Sequence, residues 1–355
     1  MAYNILVINP GATSTKIAWY EDTTQIFEKN IMHSIEELAQ YPEKAEQMVY
    51  RKELILKTLE EEGVDMSKLS AVACRGGTFG GLIGGAYLVD DALIEKCMEP
   101  SATHPSSWAA VMGRDIAEKY GVNAYIYDAV GSDETTRLAH LTGIKGLYRK
   151  NRTHSLNTRA VCKKAAADMG INYADGNFIA VHLGGGSSIN VHSGGKIIDC
   201  IATEEGPMST ERSGSIHYVD IIKMAYSGEY TQKELTKYLI GGTGLKSLLG
   251  TNDMREVEKR IAEGDEWAAE VVDFWSYQIA KYVAYMASVV YGKVDKIVVT
   301  GGAAYSQSLT SKIIERCQWM APVQVIPGAL EMEALATGIK AVLDGEEEAK
   351  LYGQN

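Results

Sequence analysis

Three short glycine-rich segments, each closing an apolar run, carry the residue types that handle phosphate. They are Gly11-Ala12-Thr13-Ser14-Thr15, Gly184-Gly185-Gly186-Ser187-Ser188 and Gly301-Gly302. Glycine adopts backbone conformations closed to other residues and lets a ligand approach without meeting a side chain. Successive N–H groups can then converge on phosphate oxygens, helped by Ser and Thr hydroxyls. None of the three matches G-x-x-x-x-G-K-[ST], and no G-x-G-x-x-G follows the first strand, which weakens the P-loop and dinucleotide readings.

Two arginines lie in loops of the same character, Arg75 in Cys74-Arg75-Gly76-Gly77 and Arg212 in Glu211-Arg212-Ser213-Gly214. A guanidinium keeps its charge and forms paired bonds to phosphate or carboxylate, so both are candidates wherever anionic oxygens gather. Asp128, at the end of an apolar run, either orients an acceptor or caps a helix. His154 and His182 can donate to a phosphoryl oxygen; each also has a local structural reading. Asn9, Asn190 and Glu331 or Glu333 are candidates to contact magnesium, directly or through water, because Mg²⁺ often takes only one or two protein ligands.

These residues need elements to hold them. Apolar runs at 5–8 and 17–20 around the first turn predict a β-hairpin. Ser34 and Glu37 form a capping-box pair, and periodic apolar residues over 48–59 predict a helix ended by Gly63. Strands are expected at 69–73 and at 123–127, the latter leading to Asp128, with a helix over 108–120 preceded by Pro105. A basic loop, 149–154, leads to a helix at 156–169 and marks the crossing between domains. Runs at 178–181 and 189–191 flank the second turn. Asn9 and His182, Gly11 and Gly184, and Ser14 and Ser187 then fall at equal positions, which suggests two duplicated half-folds. A long buried helix over 267–290, a strand at 296–300 and a last helix at 332–343 complete the pattern. The implied domains are 1–150 rejoined by 325–355, and 151–324.

At 355 residues and 46% apolar content the chain is long enough for two domains with real cores. Its 35 glycines show no repeat, so collagen-like and linker-like readings fail. A net charge of −11 without a basic block argues against nucleic acid and anionic membranes as partners. No signal-like start or membrane-length apolar stretch is present, so a soluble cytoplasmic protein is expected. Cys74, Cys97, Cys162, Cys200 and Cys317 are dispersed without metal-like spacing and should be reduced and structural.

Taken together, the segment from Ile5 to Lys16, Cys74-Arg75-Gly76-Gly77, the His182 to Ser188 segment, Glu211-Arg212-Ser213-Gly214 and Val299-Thr300-Gly301-Gly302 resemble the acetokinase family of acetate, butyrate and branched-chain fatty-acid kinases. The matches run in order over nearly the whole chain, and the opening and compact length look more like the butyrate branch. The resemblance implies an α/β fold of duplicated ribonuclease-H-like domains, as in the acetate and sugar kinase/Hsp70/actin superfamily. It further implies phosphoryl transfer between ATP/ADP and a short-chain carboxylate, with an acyl phosphate as product, Mg²⁺ as cofactor and a homo-oligomeric assembly. By the same comparison Arg75 and Arg212 look like the catalytic arginines, Asp128 like the acidic residue near the acceptor, and His154 like the histidine that steadies the transferred group. Asn9, Gly11, Thr13, Ser14, Lys16, His182, Gly184, Gly185, Gly186 and Ser187 resemble the phosphate-binding positions, and Gly301 and Gly302 the adenosine element. Asn9 and Glu331, preferred to Glu333, resemble the magnesium-organising groups. The segment Arg152-Thr153-His154-Ser155-Leu156-Asn157 departs from the Phe-His-Gly-Thr-Ser-His of acetate kinases, in line with a different acid pocket. A nucleotide-driven binding protein with the same fold is the alternative of another class; it would bind ATP without acid-dependent ADP release.

Overall fold

The computed structural model describes residues 2–102, 104–150 and 152–354. The chain divides into two compact units, residues 1–133 with 330–355, and residues 134–329.

Unit 1 is built on a six-stranded sheet of order β3-β2-β1-β4-β6-β5. Its strands are β1 (Asn4–Pro10), β2 (Ser14–Glu21), β3 (Thr24–Met32), β4 (Leu69–Arg75), β5 (Ala86–Leu88) and β6 (Asn123–Tyr127). β1, β2 and β3 form an antiparallel meander, while β4 and β6 run parallel to β1. β1 and β4 read as near-continuous apolar runs because helices cover both faces of the sheet. Leu6, Ile8, Ile17, Val72 and Ile126 meet Ile55 and Leu59 of the helix Lys44–Glu61 and Ile116 of the helix Ala109–Tyr120 in one core. The helix Glu331–Leu343 packs on β1, β4 and β6. Gly338 makes that approach possible: a Cβ there would lie 2.5 Å from the Tyr127 ring. The tail is tied down as well, with the Ala86 N–H and the Tyr127 hydroxyl both donating to Glu347, each at 2.9 Å.

Unit 2 repeats the plan with β7 (Phe178–Leu183), β8 (Ser187–Ser193), β9 (Lys196–Ile201), β10 (Lys296–Gly301) and β11 (Val323–Pro327), in the order β11-β10-β7-β8-β9. Again three antiparallel strands open the unit, and two later strands add parallel beside the first. The duplication expected from the two glycine turns is therefore a duplication of topology. The long helix Glu266–Ala287 buries Val272, Trp275, Ile279 and Val283 against the sheet, as its spacing predicts, and continues as one 3₁₀ turn, Ser288–Val290.

All five cysteines are free and buried. Among the described residues no helix is long and apolar enough to cross a membrane. Replacing Gly338 with Ala should push the last helix off the sheet and lower unfolding free energy by about 1–3 kcal/mol in a denaturant titration, with Gly80→Ala, which has no close neighbours and no positive φ, as a control.

Candidate active site

In unit 1 the parallel strands β1, β4 and β6 deliver three sequence-predicted residues, Asn9, Arg75 and Asp128, to their C-terminal ends, where open α/β sheets bind ligands. Glu331 joins them from the first turn of its helix. Arg75 Nη1 lies 2.6 Å from Glu331 Oε2, and Asn9 Nδ2 donates to the same oxygen at 3.0 Å. The pair is mostly buried, with side-chain exposures of 12% for Arg75 and 22% for Glu331, so the guanidinium is fixed before any ligand arrives. Among the described residues, Arg75 Nε is buried without a hydrogen-bond partner, leaving donor capacity on that side. Glu333, two positions on, lies near Tyr20, whose hydroxyl pKa it helps to raise after burial and Glu28.

Two glycines set the path of the chain beyond Arg75. A Cβ on Gly76 would sit 2.3 Å from Ala129 Cβ, and one on Gly77 would sit 2.2 Å from Ser107 Oγ. This closeness lets the Gly131 N–H reach Gly77 O at 2.8 Å, which ties the loop after β4 to the loop after β6. Asp128 lies where those loops meet, 1% exposed, with φ of 41°. A non-glycine residue there stores strain of about 1–3 kcal/mol, typical of functional positions. The Gly85 N–H donates to Asp128 Oδ1 at 2.8 Å and fixes one carboxylate oxygen.

The first turn, between β1 and β2, leaves Ala12 and Thr13 exposed and Ser14 half-buried. Lys16 pairs with Asn9 in register across the hairpin, and its amine reaches Glu28 Oε1 at 3.3 Å. Behind the turn, Thr15 meets His33 Nε2 at 2.8 Å.

The second turn, in unit 2, is fastened through its carbonyls. Ser209 Oγ donates to Gly185 O at 2.6 Å, Thr210 Oγ1 to Gly184 O at 3.2 Å, and the Gly184 N–H to Gly186 O at 3.2 Å. Arg212 Nη1 donates to Gly185 O at 3.4 Å and to Ile240 O, which places the guanidinium at the turn. Ser187 is fully buried and donates to Met208 O at 3.2 Å, so its hydroxyl holds the loop and is turned away from any ligand.

His182 ends β7 and His154 precedes the helix Ser155–Asp168; their rings stack with centroids 3.7 Å apart and planes at 10°. The Asn157 amide meets His182 Nδ1 at 3.0 Å. The same amide nitrogen donates to Thr300 Oγ1 at 3.2 Å, an orientation that suits a neutral ring accepting at Nδ1 and carrying its proton on Nε2, the atom beside Gly184. His154 Nδ1 meets Ser188 Oγ at 2.9 Å, and Thr153 links that serine to Asn190. Asn190 is fully buried, and both ends of its amide are engaged by Thr153 and Thr158. It supports the histidine and does not face a metal.

Gly301 has φ of 96°, and a Cβ there would lie 2.2 Å from Leu183 O, so glycine is required where β10 passes β7. Gly302, Gly184 and Gly185 then line a cleft of about 620 Å³ with Asn252, Asp253, Met254 and Glu258. The last four were not singled out from the sequence. Their only signal is the Thr251-Asn252-Asp253 cap of the helix Met254–Ala262, which looks like any other helix start.

Among the described residues no cluster of three or more His, Cys, Asp or Glu side chains is placed to hold a metal ion. Asn9 and Glu331 offer an amide oxygen and a carboxylate, the sparse oxygen set that suits magnesium when phosphate and water complete its shell.

The arrangement has relatives. The acetokinase family model matches residues 141–322. A probable butyrate kinase of Clostridium botulinum (strain Alaska E43 / Type E3) is 39% identical over 99% of this chain and 100% of its own length. A probable butyrate kinase of Enterococcus faecalis (strain ATCC 700802 / V583) is 41% identical over 99% of this chain and 98% of its own. This chain belongs to the acetokinase family. Among solved structures, Porphyromonas gingivalis acetate kinase aligns over 96% of this chain and 100% of its own, with a TM-score of 0.80 at 20% identity. A propionate kinase from Francisella tularensis subsp. tularensis SCHU S4 covers 95% and 98%, with a TM-score of 0.74 at 20% identity. These two establish the fold shared by family members.

Two outcomes test the geometry. Glu331→Gln should lower turnover about 10²-fold or more in a steady-state assay, by loosening Arg75, while Glu333→Gln stays near wild type. His33 is held neutral by burial and then by the Arg51 charge, which lower its pKa from 6.5 to about 4. Its contribution to stability is intact above pH 6.5 and is lost as pH falls toward 4, because the unfolded chain binds the proton first. The urea midpoint should fall across that window, and fall less in His33→Gln; buried His192, also lowered, accounts for part of the remainder.

Proposed function

We propose that this chain transfers the terminal phosphoryl group of ATP to butyrate, giving butyryl phosphate and ADP, and catalyses the reverse reaction. The observation that carries the chemistry is a pair of glycine turns whose carbonyls are held by the protein, each accompanied by an arginine. Full-length similarity to probable butyrate kinases supplies the acid.

The cleft beside Gly184, Gly185 and Gly302 suits the nucleoside, so the second turn takes the phosphates nearest to it. By the family resemblance, the first turn, with Asn9, Gly11, Thr13, Ser14 and Arg75, takes the terminal phosphoryl group. Butyrate is ionised at neutral pH, so a carboxylate oxygen attacks phosphorus without a general base. The bond to the ADP oxygen breaks as the new P–O bond forms, and ADP leaves with the electron pair. Arg75 and Arg212 neutralise oxygens on the phosphoryl group during transfer, and the Nε2–H of His182 and the ring of His154 donate to the same oxygens. Asp128 orients the acceptor carboxylate from its strained position. Asn9 and Glu331 would hold Mg²⁺, which supplies charge neutralisation to the nucleotide phosphates. One methylene is worth only about 1–3 kcal/mol of discrimination, so neighbouring C2 to C5 acids should react at graded rates. The family resemblance also supports a homo-oligomer working in the cytoplasm.

Hydroxylamine trapping of acyl phosphate, with ATP, Mg²⁺ and straight and branched C2 to C5 acids, tests the reading. Butyrate should give the highest kcat/KM. ATP binding without acyl phosphate from any acid would return the chain to the class of nucleotide-driven binding proteins. Arg75→Ala and Arg212→Ala should each lower kcat about 10²- to 10³-fold. Near-normal turnover in either variant removes that arginine from the mechanism.

A further inference from the structure

The helix Lys44–Glu61 carries a charge where its pattern calls for an apolar residue. Arg51 lies between Met48 and Ile55 on the buried face and is 0% exposed. Among the described residues no carboxylate pairs with it; its partners are all on the first glycine turn. Nη1 donates to Gly11 O at 3.1 Å, Ser14 O at 3.1 Å and Thr15 Oγ1 at 3.0 Å, and Nη2 donates to Ala12 O at 2.8 Å. The remaining carbonyl of the turn, Thr13 O, accepts from the His33 N–H at 2.9 Å, and Ser14 O also accepts from the Gly11 N–H at 2.8 Å.

Every carbonyl from Gly11 to Ser14 is thus drawn to the protein side. Ala12 and Thr13 are exposed, and their N–H groups donate to nothing among the described residues. A turn sorted in this way has its acceptors inside and its donors outside. The cation that sorts it is desolvated and met only by carbonyl and hydroxyl dipoles. In a low-dielectric setting its field is weakly screened, and it adds to the outward donors. A helix fastened to a hairpin for stability alone would be served by an apolar residue at this position.

We propose that Arg51 is a positioning residue for the terminal phosphoryl group: it pins the carbonyls of the first turn inward, aims the free N–H groups at the ligand and places positive charge behind them. The inference rests on the reading that this turn takes the terminal phosphoryl group. Lysine keeps the charge but not the planar fork that reaches carbonyls on both nitrogens, so the two contributions are separable.

The test compares ATP and ADP affinities by calorimetry for the full chain, Arg51→Met and Arg51→Lys, with circular dichroism and thermal melting to check the fold. ADP lacks the group that the first turn would hold. In Arg51→Met, ATP affinity should fall about 10- to 100-fold while ADP affinity stays within about twofold of wild type; Arg51→Lys should recover part of the loss. In turnover, KM for ATP should rise more than kcat falls. Equal weakening of ATP and ADP would mean that Arg51 only supports the fold, and unchanged ATP affinity would mean that the turn does not depend on it; either result overturns the proposal. If Arg51→Met does not fold, Arg51→Lys decides by the same ATP-to-ADP ratio. Failure of the kinase reading is separately visible, as wild-type protein that yields no acyl phosphate.

Discussion

Backbone polarity is the constraint on which both units depend. A tight turn exposes donors and acceptors within a few residues of each other, and an anion tolerates only the donors. Both glycine turns meet the constraint by giving their carbonyls to the protein. In unit 1 a guanidinium from a buried helix face takes three of them. In unit 2 the hydroxyls of Ser209 and Thr210 take two, from the same loop that carries Arg212. The sheets share a topology, but the fastening of each turn was solved with different chemistry.

That difference gives the arginines different surroundings. Arg75 is gripped by a carboxylate, so its direction is set by an ion pair with low exposure. Arg212 is held through backbone carbonyls, which fix its place without cancelling its charge. A carboxylate partner lowers the net charge that a ligand meets, whereas dipoles leave it almost whole. The two guanidiniums are therefore unequal as anion receptors, even though the sequence presents them in similar glycine-rich loops.

Much of this was legible in the residues. The apolar runs gave the central strands but not β3, β5, β9 or β11; β3 is largely exposed and β5 is only three residues long. The two glycine turns gave the duplication, because they carry matching residue types at equal positions. Arg75, Asn9 and Glu331 were each selected, but their meeting was not visible, since it depends on how a distant helix seats on β1 and β4. Arg51 was hidden inside a periodic helix, although a charge within an apolar stripe is itself a signal. The cleft residues from Asn252 to Glu258 were missed for the opposite reason: a helix cap of ordinary composition gives nothing to single out. Asn190 looked like a ligand by type and is an internal strut by burial.

The route of the chain through unit 1 has one more consequence. Unit 2 is continuous, so its core is complete once residue 329 has been synthesised, whereas unit 1 waits for the helix that follows. Domains generally fold as they leave the ribosome, in order of emergence. Here the earlier unit receives its final helix only after the whole of unit 2 has been synthesised. Glu331 lies in the first turn of that helix, so the carboxylate that orients Arg75 appears only when the chain has been translated past both cores. A prematurely ended chain could hold a folded unit 2, yet it would lack the ion pair that sets the first arginine.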